Sequence, residues 1–331
     1  MNKFGKIFSV SIFGESHGNG VGIVIDGCPA GLPIQFNDFI EDFNRRRSGA
    51  KGTTPRKEAD IPKMVSGIFN NYTTGAPITL LFKNTNTRSR DYSKLRETHR
   101  PGHADWVAMQ KFGGFEDYRG GGHFSGRLTL GLVAAGVIAK KLIHPIVISA
   151  TILEVGGSND IDSTIDKAME AKDSIGGIIE CRATNMPVGL GEPFFDSVEA
   201  LISHMVFSIP AIKGIEFGSG FAAAKMHGSE HNDSIISGDG KTETNNAGGI
   251  NGGISNGNDL VFRVPVKPTS STHQKQRTLN IKTGQMEDLE VEGRHDTCIA
   301  LRVPVVLEAA TAIVLADLMM QEQRIERIVR H

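Results

Sequence analysis

Short β-branched and aromatic runs alternate along the chain with stretches of helical spacing. The runs at 7–13 (IFSVSIF), 21–26 (VGIVID), 61–69, 77–83, 145–155, 176–186, 212–218 and 260–266 predict strands. Helical periodicity covers 38–47, 104–112, 160–172 and 196–206. Residues 129–142 are apolar nearly all the way round, which predicts a helix buried on every face. A closing helix is expected over about 304–328, apolar in its first half and amphipathic in its second. Asp38, followed three residues later by Glu41, predicts an N-cap with a capping box. No internal repeat or low-complexity linker interrupts the pattern, so a single α+β domain over 1–331 is expected.

Composition narrows the classes. With 39% hydrophobic and 22% charged residues the chain is globular, and a formal net charge of -1 gives no global attraction to nucleic acid or an anionic membrane. Neither partner is expected. Sparse aromatics also argue against a nucleic-acid binder. The apolar runs near 128–139 and 303–320 are too short, or carry Glu308 and Asp317, and do not read as membrane spans. The N-terminus lacks an h-region of adequate length, and three widely spaced cysteines fit neither a disulfide framework nor a metal ribbon. A reducing cytoplasm is the expected location. Glycine is in surplus at 39 residues, which points to many loops with special backbone conformations.

Candidate chemistry concentrates in residues 98–127, THRPGHADWVAMQKFGGFEDYRGGGHFSGR, where four basic side chains and three histidines surround a glycine triplet. Gly120, Gly121 and Gly122 let backbone N–H groups approach a ligand closely, and Arg100, Arg119 and Arg127 are forks suited to carboxylate or phosphate. Six more cations fall between Arg45 and Lys57, and Arg88 and Arg90 follow on a predicted loop. In a nearly neutral chain this clustering points to a polyanionic ligand. His99 and His103 have the i, i+4 spacing of a metal pair, but Pro101 and Gly102 break the helix this requires, and no metal site is expected. His103 is instead expected at the start of the 104–112 helix, whose dipole would favour the neutral ring. Gly14-Glu15-Ser16-His17-Gly18 fits the G-x-S-x-G nucleophile elbow, yet a second strand follows where the elbow needs a helix. The polar stretch 227–247 has the composition of a long mobile loop or lid. AGGINGGISNG at 247–257 has neither G-x-G-x-x-G nor a Walker lysine, so no Rossmann or P-loop site is supported.

RPGHAD at 100–105, YRGGGHFSGR at 118–127, GESHG at 14–18, AGGINGGISNG at 247–257, KPTSS at 267–271 and GRHD at 293–296 together resemble the signature segments of the chorismate synthase family, in that family's order and over almost the full chain. The resemblance implies a β-α-β sandwich with central helices between antiparallel sheets, assembled as a homotetramer. It implies a lyase of the shikimate pathway, serving aromatic amino-acid biosynthesis, that converts 5-enolpyruvylshikimate 3-phosphate to chorismate by loss of phosphate and a ring hydrogen. Reduced FMN is required without net redox change. It further implies His17 as proton donor to the departing phosphate, His103 as the partner of the reduced flavin near N1, and Asp296 as acceptor of a proton from flavin N5. Arg45 and Arg100 are implied for substrate anions and Arg46 for a nicotinamide phosphate. For the flavin the family pattern implies His123, Phe124, Ser125, Pro210, Ala211, Gly252, Lys267, Pro268, Thr269, Ser270, Ser271 and Arg294.

Two departures stand out. His123-Phe124 replaces the arginine and serine common in the family, which puts side-chain contacts to the flavin phosphate there in question, and family members commonly run longer. Whether the chain reduces its own flavin with NADPH or draws on a separate flavin reductase is left open by the sequence. The rival readings are an ordinary flavin or NADPH oxidoreductase and a phosphoanion-binding protein.

Overall fold

A computed structural model describes residues 2–330 except 57, 87–91, 93, 292 and 294. Five strands form the first sheet: β1 (Lys3–Phe4), β2 (Ser9–Gly14), β3 (Gly20–Asp26), β4 (Lys63–Ser66) and β5 (Ile78–Lys83), in the order β1-β2-β3-β5-β4. Four form the second: β6 (Val147–Val155), β7 (Gly177–Thr184), β8 (Glu216–Phe217) and β9 (Leu260–Val266), in the order β8-β9-β7-β6. Every pairing in both sheets is antiparallel. The helices with the largest share of buried residues lie between the sheets. Of α1 (Ile40–Arg46), α2 (Asp105–Phe112), α3 (Thr129–Leu142), α4 (Ile161–Glu170), α5 (Val198–Val206) and α6 (Val303–Gln321), α3 packs on β3 and β2, α6 packs on β6 and β7, and α3 and α6 pack on each other. This is the sandwich with central helices implied by the family resemblance.

The middle layers follow from the all-round apolar pattern. Every residue of α3 is buried except Lys140 and Lys141. A helix with no polar stripe must be covered on all sides, and a second such helix together with a sheet does this. The two axes come close because Gly136 faces Ala309: a Cβ on Gly136 would lie 2.3 Å from the Ala309 Cβ. The segment Ile299–Gln321 is long and apolar enough to cross a membrane, yet most of it is buried inside the fold. Its two carboxylates have dedicated partners. Asp317 accepts the backbone N–H groups of Lys6 (3.0 Å), Ile7 (2.7 Å) and Phe8 (2.9 Å), and Glu308 accepts a two-pronged contact from Arg45 together with the N–H of Ala150 (3.0 Å).

Three expectations need correction. Asp38 is not an N-cap: a 3₁₀ turn starts at Phe36, and Asp38 reaches back to the N–H of Gln35 at 2.7 Å, as a third-position carboxylate does. The closing helix ends at Gln321 rather than about 328. Gln323 takes a φ of 55° and turns the chain back, so that Val329 N–H bonds Ala30 O at 2.8 Å and Ala30 N–H bonds Arg327 O at 3.2 Å. Residues 227–247 are knitted together around Asp233, which accepts from Asn246 N (2.7 Å), Ala247 N (2.9 Å) and Thr244 Oγ1 (2.7 Å). Those polar residues satisfy one another, and none of them lines the cavities described below.

Candidate active site

Two adjoining cavities meet at the glycine triplet. The larger, about 620 Å³, has an apolar floor that includes Val10, Ile12, Leu128, Leu132 and Met205. The smaller, about 210 Å³, is lined by six arginines among the described residues: Arg46, Arg47, Arg56, Arg100, Arg127 and Arg302. Gly120, Ser125, Gly126, Thr129, Pro210 and Ile299 line both. The first residues of both central helices, Thr129 and Val303, lie in the wall of the arginine cavity.

The triplet lays its backbone against two histidines, of which His103 lines the larger cavity. Gly120, Gly121 and Gly122 have φ values of 60°, 79° and 52°, and Gly122 combines its φ with a ψ of -125°, a region closed to side-chain-bearing L-residues. With no side chains the strand of backbone can lie against imidazole rings. A Cβ on Gly120 would sit 2.4 Å from His17 Cδ2, and one on Gly121 would sit 3.5 Å from His103 Nε2. Gly122 O also accepts the N–H of Ser16 at 3.0 Å, which fixes the turn between β2 and β3 that carries His17. His17 is buried, with its ring edge-on to Tyr92 at 5.1 Å. The strand–turn–strand geometry around Ser16 excludes the nucleophile elbow.

His103 precedes α2, as the sequence predicts. Its Nδ1 lies 2.6 Å from Asp105 Oδ1 and 3.1 Å from Arg100 Nη2; the shorter, carboxylate contact favours a proton on Nδ1, with Nε2 beside Gly121. Burial is the main cause that holds the ring below its ordinary proton affinity. The Arg100 charge adds to this, and the Asp105 hydrogen bond works against it. Asp105 also takes Arg100 Nε at 2.8 Å and Nη2 at 2.7 Å, and Arg100 Nη1 reaches Ser271 Oγ at 2.9 Å.

In the larger cavity His123, Phe124, Ser125, Pro210, Ala211 and the whole run Lys267, Pro268, Thr269, Ser270, Ser271 line one space with His103. No aspartate or glutamate is among its described lining residues, whereas Lys3, Lys267, His103, His123 and His204 are. Thr269 Oγ1 is buried without a hydrogen-bond partner, and Lys267 Nζ bonds Ser270 Oγ at 2.7 Å. A hydroxyl in that state costs free energy until something bonds to it. His123 points its Nδ1 at Gly14 O, 2.8 Å away, so the residue that replaces the family's arginine is tied to the end of β2.

In the smaller cavity Asp296 accepts from Thr54 N at 2.9 Å and faces Arg302 Nη1 at 3.3 Å. Arg46 is 3% exposed, bonded to Thr129 Oγ1 and Gly126 O. Burial, then the nearby Arg302 and Arg127 guanidiniums, disfavours its charge, and an arriving anion would relieve that. Arg47 Nε and Arg56 Nε are buried donors without partners.

Of the implied residues, His17 lines neither cavity and reaches the site only through its contact with Gly120, and three more fall elsewhere. Arg45 does not line this cavity: its guanidinium is held by Glu308 at 2.6 and 2.7 Å, within a network completed by Asp42 and Lys140. Gly252 lies at a hairpin turn joining Ile250–Asn251 to Ile254–Ser255, where Gly252 and Gly253 adopt φ values of 61° and 88°, and it lines neither cavity. Arg294 lies outside the described residues, as do Arg88, Arg90 and Lys57. Conversely, Arg302, Glu58, Asp60 and Thr129 line the site without having been singled out. An arginine just before an apolar helix was the available signal for Arg302.

Comparison with known proteins agrees with this arrangement. The family model described as chorismate synthase matches residues 8–320. The chorismate synthase of Chitinophaga pinensis is 65% identical over 332 residues, covering all of both chains. That of Dehalococcoides mccartyi is 47% identical and covers 99% of each, over an alignment of 362 residues, so its extra length is internal. That of Methanocaldococcus jannaschii is 43% identical over 97% of each. A crystal structure of chorismate synthase superposes with a TM-score of 0.75 at 27% identity, covering 96% of this chain and 93% of that one. On this sequence similarity, and with the sandwich shared, the chain belongs to the chorismate synthase family.

Proposed function

We propose that the arginine cavity takes 5-enolpyruvylshikimate 3-phosphate, that the larger cavity takes reduced FMN, and that the family's reaction runs at their common wall. That reaction is the anti-1,4-elimination of phosphate and a ring hydrogen to give chorismate, a carbon–oxygen lyase activity. The observation carrying the reading is that His17 and His103 flank one glycine backbone shared by two cavities of different character.

The residues fit both ligands. The substrate has two carboxylates and a phosphate, and six arginines against Glu58, Asp60 and Asp296 leave a surplus of positive charge. The larger cavity pairs an apolar floor with a cationic, hydroxyl-rich end at Lys267–Ser271, including the unpartnered Thr269 hydroxyl, which suits a planar ring system bearing one phosphate. Reduced FMN, when bound, supplies an electron-rich ring that assists departure of the phosphate and is recovered reduced. His103 lines that cavity with its Nδ1 held against Asp105. His17 gives a proton to the leaving phosphate, and Asp296, held by Thr54 and Arg302, would accept a proton at flavin N5. Arg47 and Arg56, with unused Nε donors, are better placed for substrate anions than Arg45.

Asp105→Asn removes the charge that holds both His103 and Arg100, and its pH profile reads the histidine's part. The expected result is a fall in turnover of about 10–100-fold, with the acidic limb of the pH–rate profile moving to lower pH. The sign follows because the carboxylate raises the proton affinity of a ring that burial holds below 6.5. An acidic limb that stays in place would remove the assignment of His103.

The assay for the whole reading is anaerobic incubation with chemically reduced FMN. Equimolar phosphate and chorismate, with the flavin still reduced, is expected. Net consumption of NADPH without phosphate release would instead mean an ordinary oxidoreductase. Anaerobic NADPH oxidation by the purified protein then separates self-reduction from supply by a separate reductase. The reading includes a cytoplasmic homotetramer. Buried, unpaired Cys28, Cys181 and Cys298 fit a reducing compartment, and largely exposed Phe194, Phe195 and Phe221 fit subunit contacts.

A further inference from the structure

The arginine cavity carries its own counter-charges, and one of them is unlike the others. Glu58 is saturated by Arg56 Nη2 at 2.8 Å, Thr85 N at 3.0 Å, Thr85 Oγ1 at 2.8 Å and Asn86 N at 3.2 Å. Asp296 has a backbone donor and Arg302. Asp60 sits between two arginines instead. Its Oδ1 ion-pairs Arg127, and its Oδ2 lies 3.9 Å from Arg46 Nη1. Among the described residues it is the one ion-pair partner of either guanidinium. All three side chains are at most 7% exposed. The Asp60 backbone is in the left-handed region, φ 52°, which among side-chain-bearing residues suits aspartate and asparagine best.

Two buried guanidiniums with no charge between them repel strongly, and each would turn toward whatever acceptor it could find. The orientation of both is otherwise set by neutral groups alone. Arg127 Nε bonds Asn84 Oδ1 at 3.1 Å and Arg46 Nε bonds Thr129 Oγ1 at 3.1 Å. Among the described residues this buried carboxylate has no side-chain partner outside the pair it joins.

We propose that Asp60 is a positioning residue, a backbone-locked counter-ion that keeps the Arg46 and Arg127 forks together and aimed at the anionic groups of the substrate without touching the substrate itself. This rests on the reading of the arginine cavity as the substrate site.

Asp60→Asn tests it, because asparagine keeps both the shape and the left-handed preference and removes only the charge. The cavity becomes more positive by one unit, so a merely electrostatic brake predicts tighter binding of every anion. Positioning predicts opposite signs. KM for the substrate, with its two carboxylates and phosphate, should rise about ten- to a hundredfold, with a smaller change in kcat, while the inhibition constant of inorganic phosphate, which a single guanidinium can hold, stays level or falls. KM and the phosphate constant falling together, or KM within twofold of wild type, overturns the proposal. Both constants rising with a lowered melting temperature also overturns it, since that is general loss of structure. If Asp60→Asn does not fold, Arg127→Lys keeps the charge and removes the fork. It should show the same rise in KM at a nearly constant phosphate constant, and an unchanged KM again refutes the idea. Wild-type turnover is measured in the same series: its absence sinks the functional reading, while its presence with an unmoved variant KM sinks only the role of Asp60.

Discussion

His17→Ala is expected to lower kcat by roughly two to four orders of magnitude, the range of a lost general acid, while the affinity for oxidised FMN stays near wild type. The split follows from where the ring lies. His17 is packed against Gly120 and Tyr92, whereas His103 lies against Gly121, and His17 does not line the larger cavity. Removing it takes away a proton source for the leaving phosphate and leaves the walls of the flavin-sized space intact. The vacated volume lies under Gly120, whose φ of 60° does not depend on the imidazole. Rates measured anaerobically with saturating reduced FMN, alongside a flavin titration, read the two quantities separately. A variant that turned over at the wild-type rate would transfer the proton-donor role to another group.

The second large effect is on stability. Gly136→Ala should destabilise the protein by about 3 kcal/mol, the upper part of the usual range for overpacking, and lower the melting temperature by about 4 °C. The new methyl would meet Ala309 Cβ at 2.3 Å and Cα at 2.5 Å, both on or next to the backbone of the opposing helix, so no side-chain rotation relieves the contact. α3 and α6 would have to move apart, and each also carries a sheet on its other face. Gly131→Ala is the natural control, because its methyl meets Ile23 Cβ at the milder distance of 3.2 Å. Thermal melts of the two variants should therefore rank Gly136 well below Gly131. Equal melting temperatures would mean the helix pair has more slack than the packing indicates.

Elements set by local pattern were legible in the sequence. Residues 129–142 and 260–266 were expected as a helix and a strand with the boundaries they have. The histidine placed just before α2 was also legible, because Pro101 and Gly102 leave few ways to enter a helix there. The end of α6 was not. Residues 322–328 continue an acceptable amphipathic pattern, and the chain leaves the helix to reach Ala30, a partner nearly 300 residues away. The same limit applied at the site. Arg45, Arg46 and Arg47 are adjacent and chemically equivalent in sequence, and Glu308, 263 residues downstream, decides that Arg45 serves the core while its neighbours line the cavity. Gly252 and Gly253 could be read as a turn, but nothing local says which cavity a turn will face. Arg302 was hidden because one cation ahead of an apolar helix looks like a boundary.

The placement of Thr129 and Val303 in one wall has a further consequence. Each opens a central helix, and the amino end of a helix behaves as roughly half a positive charge. The two long dipoles at the middle of the molecule therefore converge on the space filled by guanidiniums, so part of the pull on anions is written into the main chain. Arginine substitutions, however many are combined, leave that part untouched, and the orientation of the core is itself a component of recognition.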